Sequence, residues 1–295
     1  MKTFQVITDS TSDVEKKFRE EYDLDYLKMV FTIEGKTYDA DLDWNDISPK
    51  GYFDSMRRGN RSVTGAIKIT ELEQKFEKYL SEGLDILYIA CSSKLSASVN
   101  TAKSFSDELL EKYKGRRIVC YDSLRSNYAE GYIAITAAKM AKEGKSLDEV
   151  VSFIDSNKLK FQTWATVATL DWLKKAGRVK ASTAFFGNLI GVKPIILGDK
   201  NGNNYSFKKV KGRKPSLDEL VNIISERIDN KEDGILFIEH ADCEKDAIYI
   251  KDAIKEKFKG QINVSTLGPI ISATTGPDTI TVNFYGEEVT IAGEE

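Results

Sequence analysis

The side chains in this sequence that could bind a ligand are hydroxyls that follow runs of apolar residues. They occur in three segments, which are residues 9–13, Ser92 with Ser93, and Asp122 with Ser123. Hydroxyls and the N–H groups at a helix N-terminus donate hydrogen bonds, and such donors bind anions. This chemistry suits a carboxylate or a phosphate ester held without a metal. Each segment alone is also typical of helix caps and turns, so the prediction of a site depends on all three meeting at one place.

Chemistry that needs a metal, a nucleotide or a catalytic base has little support in the sequence. His240 is the only histidine, and no spacing of cysteines or carboxylates around it is typical of a zinc site. The phosphate-binding pattern G-x-x-x-x-G-K-[ST] is missing, because Lys139 stands where its first glycine should be. We therefore expect no metal and no cofactor, and a hydrolase with a Ser-His-Asp triad would have to use His240.

The composition is typical of a globular protein. Hydrophobic residues make up 41% of the 295 residues and charged residues 30%. The 43 basic and 46 acidic residues give a net charge of −3, whereas nucleic-acid-binding domains are usually basic, so no nucleic acid is expected as a partner. Three scattered cysteines cannot form a disulfide framework, and no apolar stretch approaches the roughly 18 residues of a membrane span. Both observations favour a reduced, cytoplasmic setting.

Three strand-then-helix units in the first half predict a parallel sheet covered by helices, the arrangement of an α/β fold. Residues 3–8 are predicted to form a strand, and Ser12 to cap a helix that runs to residue 21. The second unit spans residues 86–113 and the third spans residues 118–143. Ligands of such sheets bind beyond the carboxyl ends of the strands, which is where the three hydroxyl segments fall.

Capping residues mark further helices in the first half. Ser48 precedes a proline, and the pattern S/T-x-x-E begins at Thr70 and again at Ser146, so we expect helices to start at all three positions. A second apolar run at residues 26–33 ends in the turn residues 34–36.

The second half predicts an α+β domain with a mixed or antiparallel sheet and helices on one side. Strands are expected at residues 161–166, 192–197, 205–211, 235–239, 262–267 and 279–284. The turn residues 199–202 predict a hairpin, and Ser216 is expected to cap a long helix. The predicted boundary gives an α/β domain at residues 1–158 and an α+β domain at residues 159–295.

Six short segments match, in order and spacing, the motifs of one protein family. Residues 7–13 are similar to V-D-S-T-x-D, residues 91–98 to S-S-x-L-S-G-T, and residues 122–123 to a D-S before a helix. In the second half, the matches are residues 170–178 to L-x-Y-L-x-x-G-G-R, residues 188–196 to N-L-L-x-x-K-P-I, and residues 238–242 to H-A-D. The chain resembles the DegV family of bacterial fatty-acid-binding proteins in these segments, which together span nearly its whole length.

This resemblance implies two domains with a ligand cleft between them and a single long-chain fatty acid in an apolar tunnel. It also implies a partner, an ATP-dependent fatty-acid kinase that phosphorylates the presented carboxyl group to an acyl-phosphate. Such a protein is a lipid carrier rather than an enzyme, and the kinase would bring the ATP that this chain has no motif to bind. Burial of about 14 methylenes at about 0.8 kcal/mol each would contribute on the order of 11 kcal/mol before ordering costs.

The resemblance implies which residues hold the carboxylate. By alignment the family's threonine is Thr64, and its serine is either Ser93 or Ser96, a choice that the sequence leaves open. The family's histidine is replaced by Thr274, whose hydroxyl can donate a hydrogen bond but cannot carry a positive charge. Asp278 replaces a glycine and adds an anion near the head group. A polar rim around these residues is expected from Ser10, Thr11 and Ser123.

Apolar side chains of the second domain are expected to line the acyl chain. They are Leu170, Phe185, Phe186, Leu189, Ile190 and Ile195. Partner docking is expected at Arg178, Lys211 and Arg213, because a basic strand end suits an acidic kinase or a transient contact with a membrane surface. A solvated basic face is the alternative for that strand end.

Two other functions stay open on the sequence. A Ser-dependent acyl or phosphoryl transferase or hydrolase would use Ser93 as its nucleophile, although no base is placed beside it by spacing. A regulatory protein with a modified pocket would agree with the threonine at position 274.

Overall fold

The computed structural model describes residues 2–180 and 191–293, so the expectations for Phe185, Phe186, Leu189 and Ile190 lie outside the described residues. A four-stranded parallel sheet in the first half confirms the predicted α/β arrangement. In spatial order its strands are β2 (Asp25–Leu27), β1 (Phe4–Asp9), β6 (Asp85–Ala90) and β7 (Ile118–Asp122).

A six-stranded mixed sheet in the second half confirms the other part of the predicted fold class. In spatial order its strands are β10 (Asn204–Lys211), β9 (Val192–Gly198), β8 (Phe161–Thr166), β13 (Ile280–Tyr285), β11 (Ile235–His240) and β12 (Gln261–Thr266). Only the β11–β12 pair is parallel among these described strands, and β9 and β10 form the expected hairpin. All strands of the parallel sheet precede residue 158 and all strands of the mixed sheet follow it. The division into domains at that residue stays a prediction.

A third, three-stranded antiparallel sheet was not predicted. Its strands are β4 (Lys36–Asp39), β3 (Val30–Ile33) and β5 (Val63–Gly65), in that spatial order. The apolar run at residues 26–33 therefore belongs to two strands, because β2 ends at Leu27 and β3 starts a different sheet at Val30. Between them the Met29 N–H donates to the Ser10 hydroxyl at 3.0 Å, so the chain bonds to a loop instead of continuing along the parallel sheet.

Ten α-helices are described alongside these sheets. They are α1 (Lys16–Tyr22), α2 (Pro49–Arg57), α3 (Ile69–Ser81), α4 (Ser98–Lys112), α5 (Asn127–Lys142), α6 (Leu147–Asn157), α7 (Asp171–Ala176), α8 (Arg213–Arg227), α9 (Glu244–Ile254) and α10 (Pro269–Thr275).

The predicted helix starts at Ser48 and Ser146 are confirmed, since each hydroxyl accepts a hydrogen bond from the backbone of the following turn. The predicted cap at Ser12 is wrong. Asp13 next to it has a left-handed φ of 53°, which a helix cannot contain, so α1 starts at Lys16. The predicted cap at Ser216 is also wrong, because α8 starts at Arg213 after Gly212 and Ser216 lies inside its first turn. The predicted capping box at Thr70 is wrong as well, because α3 starts at Ile69 with Lys68 at its N-cap position and no side-chain cap.

Helix α5 joins the two large sheets into one packed structure. Buried side chains of α5 contact β1 of the parallel sheet and β8 and β13 of the mixed sheet. Tyr128 on this helix stacks on Phe237 of β11, with ring centroids 4.0 Å apart. Gly131 lies so close to the loop after β1 that an added Cβ would stand 2.4 Å from the Ser12 carbonyl oxygen and 2.7 Å from a methyl of Val14. The absence of a side chain at Gly131 therefore sets how closely α5 approaches the parallel sheet.

We expect Gly131→Ala to lower the free energy of unfolding by about 1–3 kcal/mol, the usual cost of overpacking a core. The reason is that the backbone carbonyl of Ser12 cannot move aside as a flexible side chain could. Chemical denaturation of the two proteins measures the difference.

Gly51→Ala in the exposed first turn of α2 is the control, because its Cβ would meet only the Ser48 Oγ, at 3.1 Å. There, removing a helical glycine is expected to be neutral or to stabilise by up to about 1 kcal/mol. Equal stability of both variants would contradict the role given to Gly131.

Candidate functional site

A cavity of about 190 Å³ lies where the carboxyl ends of the parallel strands face the mixed sheet. Both halves of the chain form its wall. The first half contributes the loops after β1, β5 and β6 and the start of α5, and the second half contributes β8, β9, β13 and α10.

Three of the predicted carboxylate-binding side chains line this cavity. Thr64 in β5, Ser96 before α4 and Thr274 in α10 line the cavity, although they are far apart in sequence. The Ser96 hydroxyl is held 2.8 Å from the Ser98 hydroxyl, and it accepts the Ser98 N–H at 3.2 Å. The Thr274 hydroxyl donates to the Ile271 carbonyl at 2.8 Å, and the Thr64 hydroxyl has no partner within residues 2–180 and 191–293.

Of the other predicted polar residues, only one lies at the cavity. Thr11 lines the cavity, whereas Ser93, Ser10 and Ser123 do not. The Ser10 hydroxyl accepts the Met29 N–H, and the Ser123 hydroxyl bonds to the backbone of Arg125, so both hold loops in place. The Ser93 N–H donates to the Asp122 carboxylate at 3.2 Å. Between Ser93 and Ser96, the alternatives left open by the sequence, only Ser96 lies at the cavity.

The apolar part of the wall differs from the expectation by one residue on β9. Ile195 points to the opposite side of the mixed sheet, into the core formed with α8 and α9, while Ile196 lines the cavity. Side chains alternate between the faces of a strand, so neighbouring positions cannot share a face. Leu170 is buried in a small cluster with Val167 and Leu173, and these two neighbours line the cavity rather than Leu170 itself. The expected lining roles of Ile195 and Leu170 are thus corrected in favour of adjacent residues.

The expected docking residues lie in three different environments. Arg178 lines the cavity, and its guanidinium donates to the backbone carbonyls of Leu95 and Ala176. Arg213 is half-buried and forms an ion pair with Asp246 at 2.8 Å. Lys211 is exposed at the end of β10. Their role in docking stays a prediction.

Asp278, the extra anion expected near the head group, does not line the cavity. Its carboxylate accepts a hydrogen bond from the Arg57 guanidinium at 2.8 Å, and the same guanidinium pairs with Asp242. The negative charge at position 278 is therefore compensated outside the cavity.

Sequence reasoning missed a polar part of the wall. It is formed by Ser126 and Asn127 at the start of α5 and by Thr163 and Thr281 on neighbouring strands of the mixed sheet. The signal that could have found it is the placement of Thr163 two residues before Ala165, because these two positions of β8 share one strand face.

Two buried carboxyl groups form hydrogen bonds with Thr11, one of the polar residues that line the cavity. The Thr11 hydroxyl lies 2.5 Å from the Asp9 carboxylate and 2.6 Å from that of Glu130, and both acids are fully buried. Burial, followed by the charge of Asp9, raises the pKa of Glu130 well above its usual range. A buried carboxyl group that holds its proton avoids the cost of an uncompensated charge.

A second pair of buried acids joins the two halves. Asp13, after β1, faces Glu239 of β11, while Thr281 and Asn283 donate to the other oxygen of Glu239 at 2.8 and 2.9 Å. Burial first, and then the facing charge of Glu239, raises the pKa of Asp13, and burial raises the pKa of Glu239 to about 7. Two facing carboxylates would repel each other, so the pair is stable when it shares a proton.

This pair makes stability depend on pH in a defined direction. Glu239 contributes stability that is fully present below its ordinary pKa of 4.5 and is lost as the pH rises through its folded-state pKa of about 7. We expect Glu239→Gln, which keeps the shape without the charge, to gain melting temperature relative to the unmodified protein as the pH rises across this window. Melting curves at a series of pH values measure the difference.

Glu226→Gln, on an exposed position of α8, is the control and should follow the unmodified protein at every pH. A constant difference between Glu239→Gln and the unmodified protein would contradict the shared proton.

The fold defines a class of protein in which a parallel sheet and a mixed sheet lie on either side of a cavity lined in part by hydroxyls. Within the described ranges no group of three or more His, Cys, Asp or Glu side chains is arranged to hold a metal ion. The helices described lack the combined length and apolar character that crossing a membrane requires.

The chain belongs to the DegV family, whose model, described as "Uncharacterised protein, DegV family", matches residues 3–287. The DegV domain-containing protein CPE0026 of Clostridium perfringens is 34% identical over 288 residues, covering 97% of this chain and 99% of that protein. The DegV domain-containing protein SPs1668 of Streptococcus pyogenes is 28% identical over 290 residues, covering 97% of this chain and 99% of that protein.

Solved structures share the fold. A DegV family protein of Thermus thermophilus, described for its fatty-acid binding, superposes with a TM-score of 0.85 at 23% identity, covering 97% of this chain and all of that one. DegV of Bacillus subtilis, described as a fatty-acid-binding protein, superposes with a TM-score of 0.83 at 23% identity. The match covers 97% of this chain and all of that one. A DegV family protein of Eubacterium eligens loaded with heptadecanoic acid superposes with a TM-score of 0.81 at 20% identity. The match covers 97% of this chain and all of that one.

Proposed function

We propose that this protein binds a single long-chain fatty acid in the cavity and acts as a lipid carrier rather than as an enzyme. The observation that supports the proposal is that Thr64, Ser96 and Thr274, from three separate segments, line the same cavity as several apolar side chains. The fatty acids described for related DegV structures support the same ligand class.

The three hydroxyls would bind the carboxylate by donating hydrogen bonds. Hydrogen bonds to a charged group contribute about 1.5–3 kcal/mol each. Ser96 can donate because its hydroxyl can accept the proton of Ser98 while its own proton turns to the ligand. The guanidinium of Arg178 on the same wall would supply the positive charge that Thr274 cannot carry.

The acyl chain would lie against the apolar side chains Val167, Leu173, Ile196 and Ile270. Removal of its methylenes from water supplies most of the affinity, since each buried methylene contributes about 0.8 kcal/mol. The head group then needs orientation more than additional binding energy.

We also propose that the bound carboxyl group is presented to a separate ATP-dependent kinase that forms an acyl-phosphate. The missing phosphate-binding pattern in this chain supports the assignment of ATP binding to a partner. Exposed Lys211, near the half-buried Arg213, offers basic charge for an acidic kinase surface or for a transient membrane contact.

Combining Thr64→Val with Ser96→Ala is expected to weaken fatty-acid binding, because each substitution removes one donor to the carboxylate. The expected loss is about 10- to 100-fold for each hydrogen bond. Native mass spectrometry of the purified proteins measures how much lipid is retained, and titration with palmitic acid gives the affinity.

Ser93→Ala is the matched control, because Ser93 carries the same side chain in the same loop but does not line the cavity. It is expected to retain lipid as the unmodified protein does. Unchanged lipid retention in the double variant, or loss of lipid in Ser93→Ala, would refute this assignment of the head-group site.

The presentation step is tested at position 274. Protein loaded with palmitic acid is mixed with a bacterial fatty-acid kinase and ATP, and acyl-phosphate is trapped with hydroxylamine. Thr274→His is expected to raise the rate roughly tenfold or more, because a protonated imidazole stabilises the developing phosphate charge. Thr274→Asn, a neutral donor, should leave the rate near that of the unmodified protein. No acyl-phosphate from any of the three proteins would overturn the presentation step while leaving binding intact.

A further inference from the structure

The cavity wall is hydrogen-bonded to the pair of buried acids that joins the two halves. Thr281 lines the cavity, and its hydroxyl donates to the Glu239 carboxyl group at 2.8 Å. Asp13 faces Glu239 from the loop after β1, and the two acids are 6% and 0% exposed, respectively. A negative charge on this pair therefore lies directly behind the cavity wall.

Helix α10 connects the same pair to the expected position of the ligand carboxylate. An added Cβ at Gly268, the N-cap residue of α10, would stand 1.9 Å from Asp13 Oδ1, so the start of the helix packs directly on this carboxyl group. Thr274 follows six residues later, which is about 9 Å along the axis at about 1.5 Å per residue. A carboxylate bound at Thr274 would thus lie on the order of 10 Å from the pair.

The pair has no counterion within residues 2–180 and 191–293, because neither Asp13 nor Glu239 forms an ion pair there. The buried cation Arg125 is faced by Asp199, and its guanidinium donates to the backbone carbonyls of Phe161 and Asp199. Burial lowers the pKa of Arg125 to about 10, so its charge stays constant at neutral pH. A change in affinity near neutral pH therefore cannot come from this cation.

Other titratable side chains face the pair or its neighbour Asp9. Burial raises the pKa of those on β6, on the loop after it and on α5, and so favours their neutral forms. They are Tyr88, Cys91, Tyr128 and Glu130. Beside α1, Glu15 accepts from the Tyr128 hydroxyl at 3.1 Å and pairs with Lys17 at 3.5 Å.

The histidine next to the pair also favours its neutral form. His240 follows Glu239 on β11 and interacts with the charges of Asp242 and Glu244, while burial lowers its pKa. Burial raises the pKa of Glu239 itself to about 7. The Asp13–Glu239 pair therefore titrates near neutral pH.

We infer that fatty-acid binding is linked to proton uptake by the Asp13–Glu239 pair, so that the ligand is held when the two acids share a proton and is released when that proton is lost. This inference rests on the proposed fatty-acid binding and adds pH as a regulator of the same cavity. Two like charges about 10 Å apart, at an effective dielectric constant of about 20, repel each other enough to weaken binding roughly tenfold. Because linkage is reciprocal, a bound carboxylate raises the proton affinity of the pair by the same factor.

A charged and a neutral ligand of the same chain length test the inference. Myristic acid keeps its charge above about pH 6, since carboxyl groups ordinarily have pKa values near 4, whereas 1-tetradecanol has none. Titration calorimetry with monomeric ligand is expected to show a roughly tenfold loss of affinity for the acid between about pH 6 and about pH 8, and none for the alcohol. Repeating the titration of the acid in phosphate and in Tris, which differ in heat of ionisation, measures the proton taken up.

Glu239→Gln is expected to keep the low-pH affinity over the whole range and to take up no proton, because the pair can no longer gain a charge at this position. The double variant Asp13→Asn with Glu239→Gln should behave in the same way, and asparagine tolerates the φ of 53° at position 13. Glu226→Gln on the exposed surface of α8 is the matched control and should lose affinity with pH as the unmodified protein does.

The outcomes separate this inference from the function on which it rests. Equal affinity for myristic acid at all pH values overturns the inference while the proposed function stands, and failure of the acid to bind at any pH overturns both. An equal loss of affinity for 1-tetradecanol would show that charge repulsion is not the cause, which overturns the inference. An undiminished pH dependence in both variants would assign it to another group and overturns the inference as well.

Discussion

The packing of helix α5 between the two large sheets is the contact on which the rest of the structure depends. On one side, α5 approaches the parallel sheet closely because Gly131 has no side chain. On the other side, Tyr128 of α5 stacks on Phe237 of the mixed sheet. The same helix begins with Ser126 and Asn127 at the cavity wall. One helix therefore sets both the separation of the sheets and the chemistry of one part of the chamber between them.

Joining the sheets in this way buries acids that a purely apolar interface would not contain. Asp13 and Glu239 come from different halves and face each other, and Glu130 on α5 is bonded by the hydroxyls of Thr8 and Thr11. A buried acid is tolerated where hydroxyls, amides or a retained proton replace the water that it has lost. The contact between the halves is thus specific in its hydrogen bonds as well as in its shape.

The sequence predicted the two sheets, because strand periodicity and helix caps are local signals. It expected three hydroxyl segments to meet at the strand ends, but of their residues only Thr11 lines the cavity. It left Ser93 and Ser96 as alternatives, since only the turn geometry of the loop decides which one faces the cavity. The exchange of Ile195 for Ile196 has a similar cause, because the face of a strand depends on a register that tertiary packing sets. Neither the left-handed backbone of Asp13 nor that of Asn127 could be foreseen, since nonlocal contacts hold both.

Helix α10, which carries part of the cavity wall, is attached to α2 in two chemically different ways. At its start the buried Tyr52 hydroxyl donates to the Pro269 carbonyl at 3.0 Å, whereas beyond its end Arg57 pairs with Asp278, whose side chain is 50% exposed. Dissolved ions screen an exposed pair strongly and a buried hydrogen bond hardly at all. A rise in ionic strength is therefore expected to weaken the Arg57–Asp278 pair beyond the end of α10 far more than the Tyr52 hydrogen bond at its start.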